Sequence, residues 1–416
     1  MIACGLDFGT SNSAIGVARD ATAALAPVEG DSTLMPSAVF FDYETKDRVL
    51  YGNAAIAAYI GQTEGRLMRA LKSILGSALI EEQTVIGGRK RPLTAVVELF
   101  LRHLKERAEA FAGQEIAAVV HGRPVRFHDD DAADARAQAV LEGIARQAGF
   151  RDIAFVYEPI AAVHHYEQTV AREELVLTAD IGGGTSDFSI VRIGPGRRGQ
   201  AGRADDLLGT AGLRVGGTDF DTALSRAAAM PLLGLGTRLV EKNLPMPLAP
   251  YIELATWSTI NFAYTRRNER ELAKLAALAR EPEKLARLLR VVQKRLGHRL
   301  AFAVEETKMT LSAQDSASLP LDFLEAGLAA PATRAGFDRA IEPMTERLSS
   351  TARDCIATAG LRPGDIDTVF LTGGSSRVPA VRAAIARTAP AARLAGGTED
   401  LLSVPLGLTQ MAGRMF

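Results

Sequence analysis

Cysteine is nearly absent: Cys4 and Cys355 are the only two in 416 residues. That excludes a disulfide framework and suits a reducing compartment. Excess charge is missing too. The 48 basic and 49 acidic side chains leave a formal net charge of −1, so the chain is not built as a polyanion binder and no nucleic-acid partner is expected. No uncharged apolar run approaches the ~18 residues that a bilayer span needs. The N-terminus has no basic stretch before Arg19, and Asp7 interrupts its apolar start, unlike a signal peptide. A cytoplasmic protein with no membrane partner is the expectation. What is present is ordinary globular composition, 47% hydrophobic and 23% charged, in a chain long enough for about two to four domains with large cores.

The chain opens as a hairpin: a buried strand over Ile2–Asp7, a turn at Gly9–Asn12, and a returning strand over Ser13–Ala18. Thr94–Ala112 has helical apolar spacing (Val97, Leu101, Leu104, Ala108, Phe111) and ends at Gly113. Strands are expected over Ile116–Val120 and Ile153–Tyr157, with a helix over Asp129–Ala148 between them and another entered through Pro159. A second strand–turn–strand follows: Leu175–Asp180, Gly182–Thr185, Asp187–Ile193. Gly194–Asp206 reads as an exposed loop whose arginines keep it soluble. Four prolines mark Met230–Leu278 as an irregular insertion. One long helical pattern runs from Pro282 to about Ser312. Phe337–Ala359 reads as a helix interrupted by Pro343, Asp367–Leu371 as a strand, and Arg377–Thr388 and Leu401–Met415 as the last helices.

The two hairpins repeat one pattern. GLDFGTSNS (Gly5–Ser13) and DIGGGTSD (Asp180–Asp187) share Asp, Gly, Thr and Ser in the same order, which suggests a duplicated α/β lobe. Each places a carboxylate at the end of a strand, beside a turn of small residues. Successive free N–H groups in such a turn form an anion nest that can wrap phosphate oxygens. A carboxylate cannot hold phosphate, but it can hold Mg²⁺ through the ion's water shell. Two such turns facing each other would clamp a polyphosphate, with Asp7 and Asp180 sharing one hydrated metal. A third unit, FLTGGSSRVP (Phe370–Pro379), is a strand leading through paired glycines into a helix, where a flat ring or an anion can approach the backbone.

Taken in order, these units resemble the nucleotide-binding domain of the Hsp70 family, in the actin/Hsp70/sugar-kinase superfamily. Gly5–Ser13 and Asp180–Asp187 resemble its two phosphate motifs. YEPIAA (Tyr157–Ala162) resembles the first connecting motif, Leu371–Pro379 the adenosine motif, and GGTDFD (Gly216–Asp221) a further Hsp70 stretch. EETKMTLS (Glu305–Ser312) favours Hsp70 over other superfamily members. Glu305, Lys308 and Ser312 share one helix face, and the matching family residues hydrogen-bond ribose and adenine. The compact architecture is similar to that of the YegD-like short Hsp70 relatives.

The resemblance implies an α/β, two-lobed actin/Hsp70-like ATPase fold: duplicated ribonuclease-H-like subdomains with two inserted outer subdomains. The divisions expected are 1–36 with 92–172 and 398–416 (first core), 37–91 (first outer), 173–229 with 313–397 (second core), and 230–312 (second outer). It implies ATP or ADP with Mg²⁺. Ligand contacts would come from Gly9, Thr10, Ser11, Asn12, Gly182, Gly183, Gly184, Thr185, Gly216, Gly217, Glu305, Lys308, Ser312, Gly373, Gly374, Ser375 and Arg377. Catalytic roles would fall to Asp7, Thr10, Glu158, Asp180, Thr185 and Asp187. Pro124 resembles the proline that links the site to the lobe surface, although a plain loop proline reads equally well.

Three departures shape the functional expectation. The family has an arginine after the matching lysine, where this chain has Met309, so one adenine face is left to apolar contact alongside Arg377. The family's lysine is placed at Ile56 in YGNAAI (Tyr51–Ile56), with Lys72 assigned to another segment. Loss of such a cation costs about 10²–10³ in rate, so ATP binding is expected with slow hydrolysis. Finally, the chain stops after the closing helix, so a peptide-binding domain is not expected. The leading reading is an Hsp70-like, chaperone-related ATPase whose closure is passed to an unidentified protein client or co-chaperone. The alternatives are a small-molecule kinase of the superfamily and an actin-like filament former.

Overall fold

The computed structural model describes residues 2–19, 22–45, 48–75, 82–128, 130–198, 200, 203–240, 243–396 and 402–416. Two sheets with the same strand order form its centre. In one, the order is Asp152–Tyr157, Ala118–Arg123, Ala3–Phe8, Asn12–Arg19, Thr22–Leu25. In the other it is Arg393–Ala395, Thr368–Thr372, Glu174–Ile181, Ser186–Ile193, Leu207–Leu213. The first three strands of each series run parallel, and the last pairings are antiparallel. The repeat legible around Asp7 and Asp180 is therefore a repeat of topology.

Alternation along Ala3–Phe8 explains how each strand serves two cores. Cys4, Leu6 and Phe8 enter a cluster with the helix Leu93–Ala112. Ala3 enters a different cluster, where Val120, Val176, Val191 and Phe370 of both sheets meet Ile160, Val163, Leu408 and Ala412. These last four lie on the helices Glu158–Glu167 and Ser403–Met415, so the two sheets share a helical spine. Small residues set the spacing. A Cβ on Gly5 would lie 2.2 Å from the backbone N of Thr409. Truncating a spine residue such as Leu408 to Ala would cost about 2–5 kcal/mol.

A smaller antiparallel sheet places Ala38–Asp42 between Val49–Tyr51 and Gly65–Arg69. The helix Gly52–Ile60 covers it, burying Ala55 and Ile56 against Ala38 and Phe40. Residues 230–312 are mainly helical, with Ala249–Ala255, Arg266–Leu278, Pro282–Gln293 and Gly297–Ala313 as the α-helices. No helix among the described residues is long and apolar enough to cross a membrane.

Several expectations need correction. The pattern from Pro282 to Ser312 is two helices, broken where Arg295 takes a left-handed φ of +52°. Pro343 does not interrupt its helix, which runs unbroken over Arg334–Thr358. The proline lies on the exposed face, where the carbonyl it displaces can turn to water. Phe111, expected in the apolar stripe of its helix, is 48% exposed. The helix expected from Asp129 begins at Asp131, capped by Asp130, which accepts from Ala133 N at 2.8 Å; Asp129, like residues 397–401, lies outside the described residues. The Gly194–Asp206 segment is not a solvated arginine loop. Arg203 is buried in a fork against Glu167, at 2.6 and 2.9 Å, and against Asp206 at 2.6 Å. Arg198 donates to backbone carbonyls of Glu167 and Val170.

Candidate functional site

The sheet registers bring the strand ends together. Asp180 pairs with Asp187 across its hairpin and with Thr372 across the parallel strand. That pairing carries the third glycine unit beside the second: a Cβ on Gly373 would sit 2.4 Å from Asp180 Oδ1. The two phosphate-type turns face each other. A Cβ on Gly183 would stand 2.0 Å from Ser11 Oγ, so any larger residue there would force the serine hydroxyl to turn away.

Backbone hydrogen bonds fix the turns. Gly182 N donates to Thr185 O at 2.9 Å, closing the second turn. Gly182 O accepts from Gly217 N at 3.0 Å and from Ser375 Oγ at 2.9 Å. Gly183 O accepts from Thr218 N at 2.7 Å and Thr218 Oγ1 at 2.8 Å. Gly216 lies so close to Gly183 that its Cβ would meet the Gly183 carbonyl carbon at 2.6 Å. The first turn is held by Ser37, which sequence reasoning missed. Its hydroxyl donates to Gly9 O at 2.7 Å and lies 2.8 Å from Ser13 Oγ, while its N–H donates to Ser11 O at 2.9 Å. Ser37 has no motif around it, and only the fold shows that it buttresses the turn. Thr10 and Gly184 are half-buried, and Asn12 and Gly374 line the rim exposed.

An acidic group lies beneath the turns. Asp7, Asp180, Asp187 and Glu158 surround a single ammonium, that of Lys72. Lys72 Nζ reaches Glu158 Oε1 at 2.5 Å, with both side chains about seven-eighths buried. Burial, then Glu158 and Asp180, push the Asp7 carboxyl up to about 8, against a downward pull from Lys72. Burial, Glu158 and Asp187 raise Asp180 to about 7. Asp187 is raised to about 6, first by burial and then by Glu158. Its side chain opens on the cleft, so water moderates that shift, and Thr185 Oγ1 donates to it at 3.4 Å. Burial would lower the Lys72 ammonium, but Glu158 and Asp7 hold it above its ordinary value. A cavity of about 20 Å³, the size of one water, opens behind these acids and is lined by Pro124, Glu158, Asp180 and Asp187. Pro124 thus touches the site's rear wall.

The placement of the family lysine at Ile56 is overturned. Ile56 is buried in the outer sheet's core, while Lys72 occupies the acidic centre. The local backbone explains the delivery. The strand Gly65–Arg69 ends at Ala70, whose φ of +55° is left-handed, and a 3₁₀ turn follows over Leu71–Ile74. Leu71 turns into the core, fully buried, and Lys72 turns into the cleft. Sequence spacing carried no sign of that turn, because alanine does not announce a left-handed residue.

On the other wall, the helix Gly297–Ala313 presents Glu305, Lys308 and Ser312. Lys308 is buried and pairs with Asp221 at 2.8 Å, with its Nζ 3.3 Å from Gly217 O. Asp221 is raised to about 6 by burial, against the pull of Lys308. Ser312 Oγ donates to Lys308 O at 3.1 Å. Ser375 lies beside Gly217. Arg377 is exposed in the 3₁₀ turn Gly374–Arg377, and the α-helix begins only at Pro379. Met309 is 62% exposed. A separate surface groove of about 450 Å³, lined by Arg126, Tyr157 and Leu208 among others, contains none of these turn residues.

The residues present suit a hydrated divalent ion. Four carboxylates face one ammonium, and Asp7, Asp180 and Asp187 have raised proton affinities, first through burial and then through their neighbouring carboxylates. Among the described residues, no three His, Cys, Asp or Glu side chains converge to ligate an ion directly, so an ion here would keep most of its water.

A duplicated sheet, two glycine turns in contact, an acidic centre around one lysine, and a Glu–Lys–Ser helix face therefore form a single site. The family model described as Hsp70 protein matches residues 83–230 and 279–392. These segments make up more than half of the chain and span the second turn, Glu158, the helix face and Gly373–Gly374; the chain belongs to the Hsp70 family.

Proposed function

We propose that this Hsp70-family chain binds Mg-ATP and Mg-ADP between its two lobes and hydrolyses ATP, the expectation of slow turnover falling with the Ile56 placement, and that closure of the lobes is its output to a protein client or co-chaperone. The contact of Gly183 with Ser11 above the Lys72–Glu158 pair is the observation that carries this reading. In it, the N–H groups of Gly9–Asn12 and Gly182–Thr185 cradle phosphate oxygens. Asp7 and Asp180 hold the Mg²⁺ through water; that ion neutralises triphosphate charge. Lys72 places a cation where charge develops on the transferred phosphoryl group. Thr10 and Thr185 orient phosphate oxygens. Glu158 and Asp187 hold the attacking water and accept its proton. Gly216, Gly217, Gly373, Gly374, Ser375 and Arg377 line the nucleoside, with Glu305, Lys308 and Ser312 reading ribose and base.

The sheet memberships support the four-part division at 1–36 with 92–172 and 398–416, 37–91, 173–229 with 313–397, and 230–312. The test is calorimetric titration of the purified chain with ADP and ATP, with and without Mg²⁺, followed by single-turnover hydrolysis and ATP-dependent pulldown. Magnesium-dependent binding at one site per chain is expected. Absence of nucleotide binding would overturn the proposal.

A further inference from the structure

The two outer segments meet in an aromatic seam built around one histidine. His298, the second residue of the helix Gly297–Ala313, is 6% exposed. Tyr59, from the opposite segment's helix Gly52–Ile60, places its Oη 3.0 Å from His298 Nδ1, and the two rings meet edge-on at 4.7 Å. Trp257 also packs edge-on against the imidazole, at 4.6 Å. Arg69, from the strand Gly65–Arg69, lays its guanidinium 4.5 Å from the Trp257 ring centroid. The same two segments share a further bond, from Gln62 Nε2 to Lys294 O at 2.9 Å. The charges around His298 are of one sign. Arg69 is the charged group that acts on it across the seam. Tyr59, Trp257 and Tyr264 are neutral, and Tyr264 Oη accepts from Gly297 N at 2.8 Å. Arg295 precedes the histidine in the chain and acts on Tyr264, while Arg299 follows it and lies over the Phe323 ring. Glu305 stands about two turns along the helix and draws on Arg69. The helix N-terminus adds further positive potential. Burial, and then Arg69, push the His298 imidazole down to about 4.

We propose that His298 is the proton-sensitive element of a latch between the outer segments: its neutral ring, bonded to Tyr59, holds them together, and a proton on that ring favours the state in which they part. The sign follows from which side supplies the neighbours. Tyr59 and Arg69 both come from the segment opposite His298, so parting removes burial and a cation together, and the imidazole returns toward its ordinary value near 6.5. The parted state then binds a proton that the closed state refuses, and acid shifts the population toward it. Between a group near 4 when closed and near 6.5 when parted, lowering the pH from 7.5 to 5.5 multiplies the parted-to-closed ratio by about ten. The latch is a property of the nucleotide-free chain; it rests on the nucleotide reading only for its consequence, a faster release of ADP in acid.

Trp257 is the chain's single tryptophan, so its labelling by 2-hydroxy-5-nitrobenzyl bromide counts openings of the seam even when they are rare. Labelling of the nucleotide-free protein, normalised at each pH to free N-acetyltryptophanamide, is expected to rise about tenfold from pH 7.5 to 5.5. His298→Phe keeps an aromatic ring in the seam without a titrating group, and its labelling should change little. Asp7, Asp180 and Asp187 also titrate in this range, but they remain in the variant, so the difference between the two proteins belongs to His298. Deuterium exchange at the His298 ring C2 position, read by mass spectrometry, follows its protonation in the wild type with no substitution; a midpoint well below 6.5 is expected. A midpoint near 6.5, no rise in wild-type labelling, or an equal rise in His298→Phe would each overturn the latch. With Mg²⁺ and a fluorescent ADP analogue, release should quicken about tenfold over the same pH range in the wild type and not in His298→Phe; release that ignores pH while Trp257 labelling responds would overturn the consequence for ADP. If the analogue fails to bind while labelling responds, the nucleotide reading falls and the latch stands.

Discussion

Lys72 and Glu158 meet at 2.5 Å across a boundary between elements of different origin. The lysine comes from the turn after the outer strand Gly65–Arg69; the glutamate is the first residue of the spine helix Glu158–Glu167. Asp7 and Asp180, at the ends of equivalent strands, flank the pair. The ammonium of the acidic centre thus depends on the placement of an outer segment relative to the two-sheet core.

Replacing Lys72 by Met should lower single-turnover ATP hydrolysis by about 10²–10³, the usual cost of removing one charge-stabilising group. ADP affinity should change far less, since the turns remain. Ile56→Lys should give no gain in rate. Its ammonium would enter a core beside Phe40 and Ala55, where an unpaired charge is costly, so a lower melting temperature is expected instead. Faster hydrolysis in Ile56→Lys, measured under single-turnover conditions, would contradict the assignment of Lys72.

The duplicated hairpins and their Asp-glycine turns were legible because their chemistry is local. Small residues after a strand declare a turn, and a repeated Asp declares a shared charge. Lys72 was not legible, because its position depends on a left-handed alanine and on a partner 86 residues away. Ser37 escaped for a similar reason: it acts through backbone atoms of Gly9 and Ser11. The Arg203 network was misread because arginines in a glycine-rich segment look solvated, and the buried Glu167 that receives them lies on a distant helix. Periodicity likewise ran on through Arg295, where the backbone turns.

The acidic centre makes stability depend on pH in a definite direction. Asp7 and Asp180 are raised to about 8 and 7 in the folded chain, above their ordinary values near 4. The folded state therefore holds protons that the unfolded state releases, and stability falls as pH rises from about 4 towards 8. Thermal melts of the nucleotide-free protein should show this decline. Asp7→Asn with Asp180→Asn should flatten it and raise the melting temperature at pH 8, by about 2–4 °C for each kcal/mol recovered. The same double variant should lose magnesium-dependent nucleotide affinity. Melting curves whose pH slope is identical in wild type and variant would refute the account.

Arg203, Glu167 and Asp206 form a buried charge cluster with side chains 5%, 0% and 3% exposed. Removing Arg203 strands the Glu167 carboxylate, whereas Asp206 keeps its ion pair with Arg197. Arg203→Met should cost about 3–5 kcal/mol, the scale for breaking a buried pair. Arg203→Met with Glu167→Met should cost less than Arg203→Met alone, because no orphan carboxylate remains at Glu167. Urea denaturation of the three proteins decides this; equal losses in the single and double variants would mean that the cluster is not electrostatically coupled.

The last prediction concerns base selectivity. Lys308 is buried and held between Asp221 at 2.8 Å and Gly217 O at 3.3 Å, so its ammonium has a fixed direction rather than a mobile surface position. Glu305 lies one turn earlier on the same helix face, and Ser312 one turn later. A polar set that a bound base would bury discriminates strongly, because a base with the wrong donors and acceptors leaves groups unpaired, at about 1–3 kcal/mol each. GTP should therefore compete with ATP at least about tenfold more weakly. Glu305→Ala should narrow that ratio by relaxing the reading, whereas Lys308→Met should weaken both nucleotides and also destabilise the fold, since Asp221 loses its partner. Competition titrations against a fluorescent ADP analogue measure the ratio. Equal competition by GTP and ATP in the wild type would assign Glu305, Lys308 and Ser312 to the framework of the second lobe and leave the base unread.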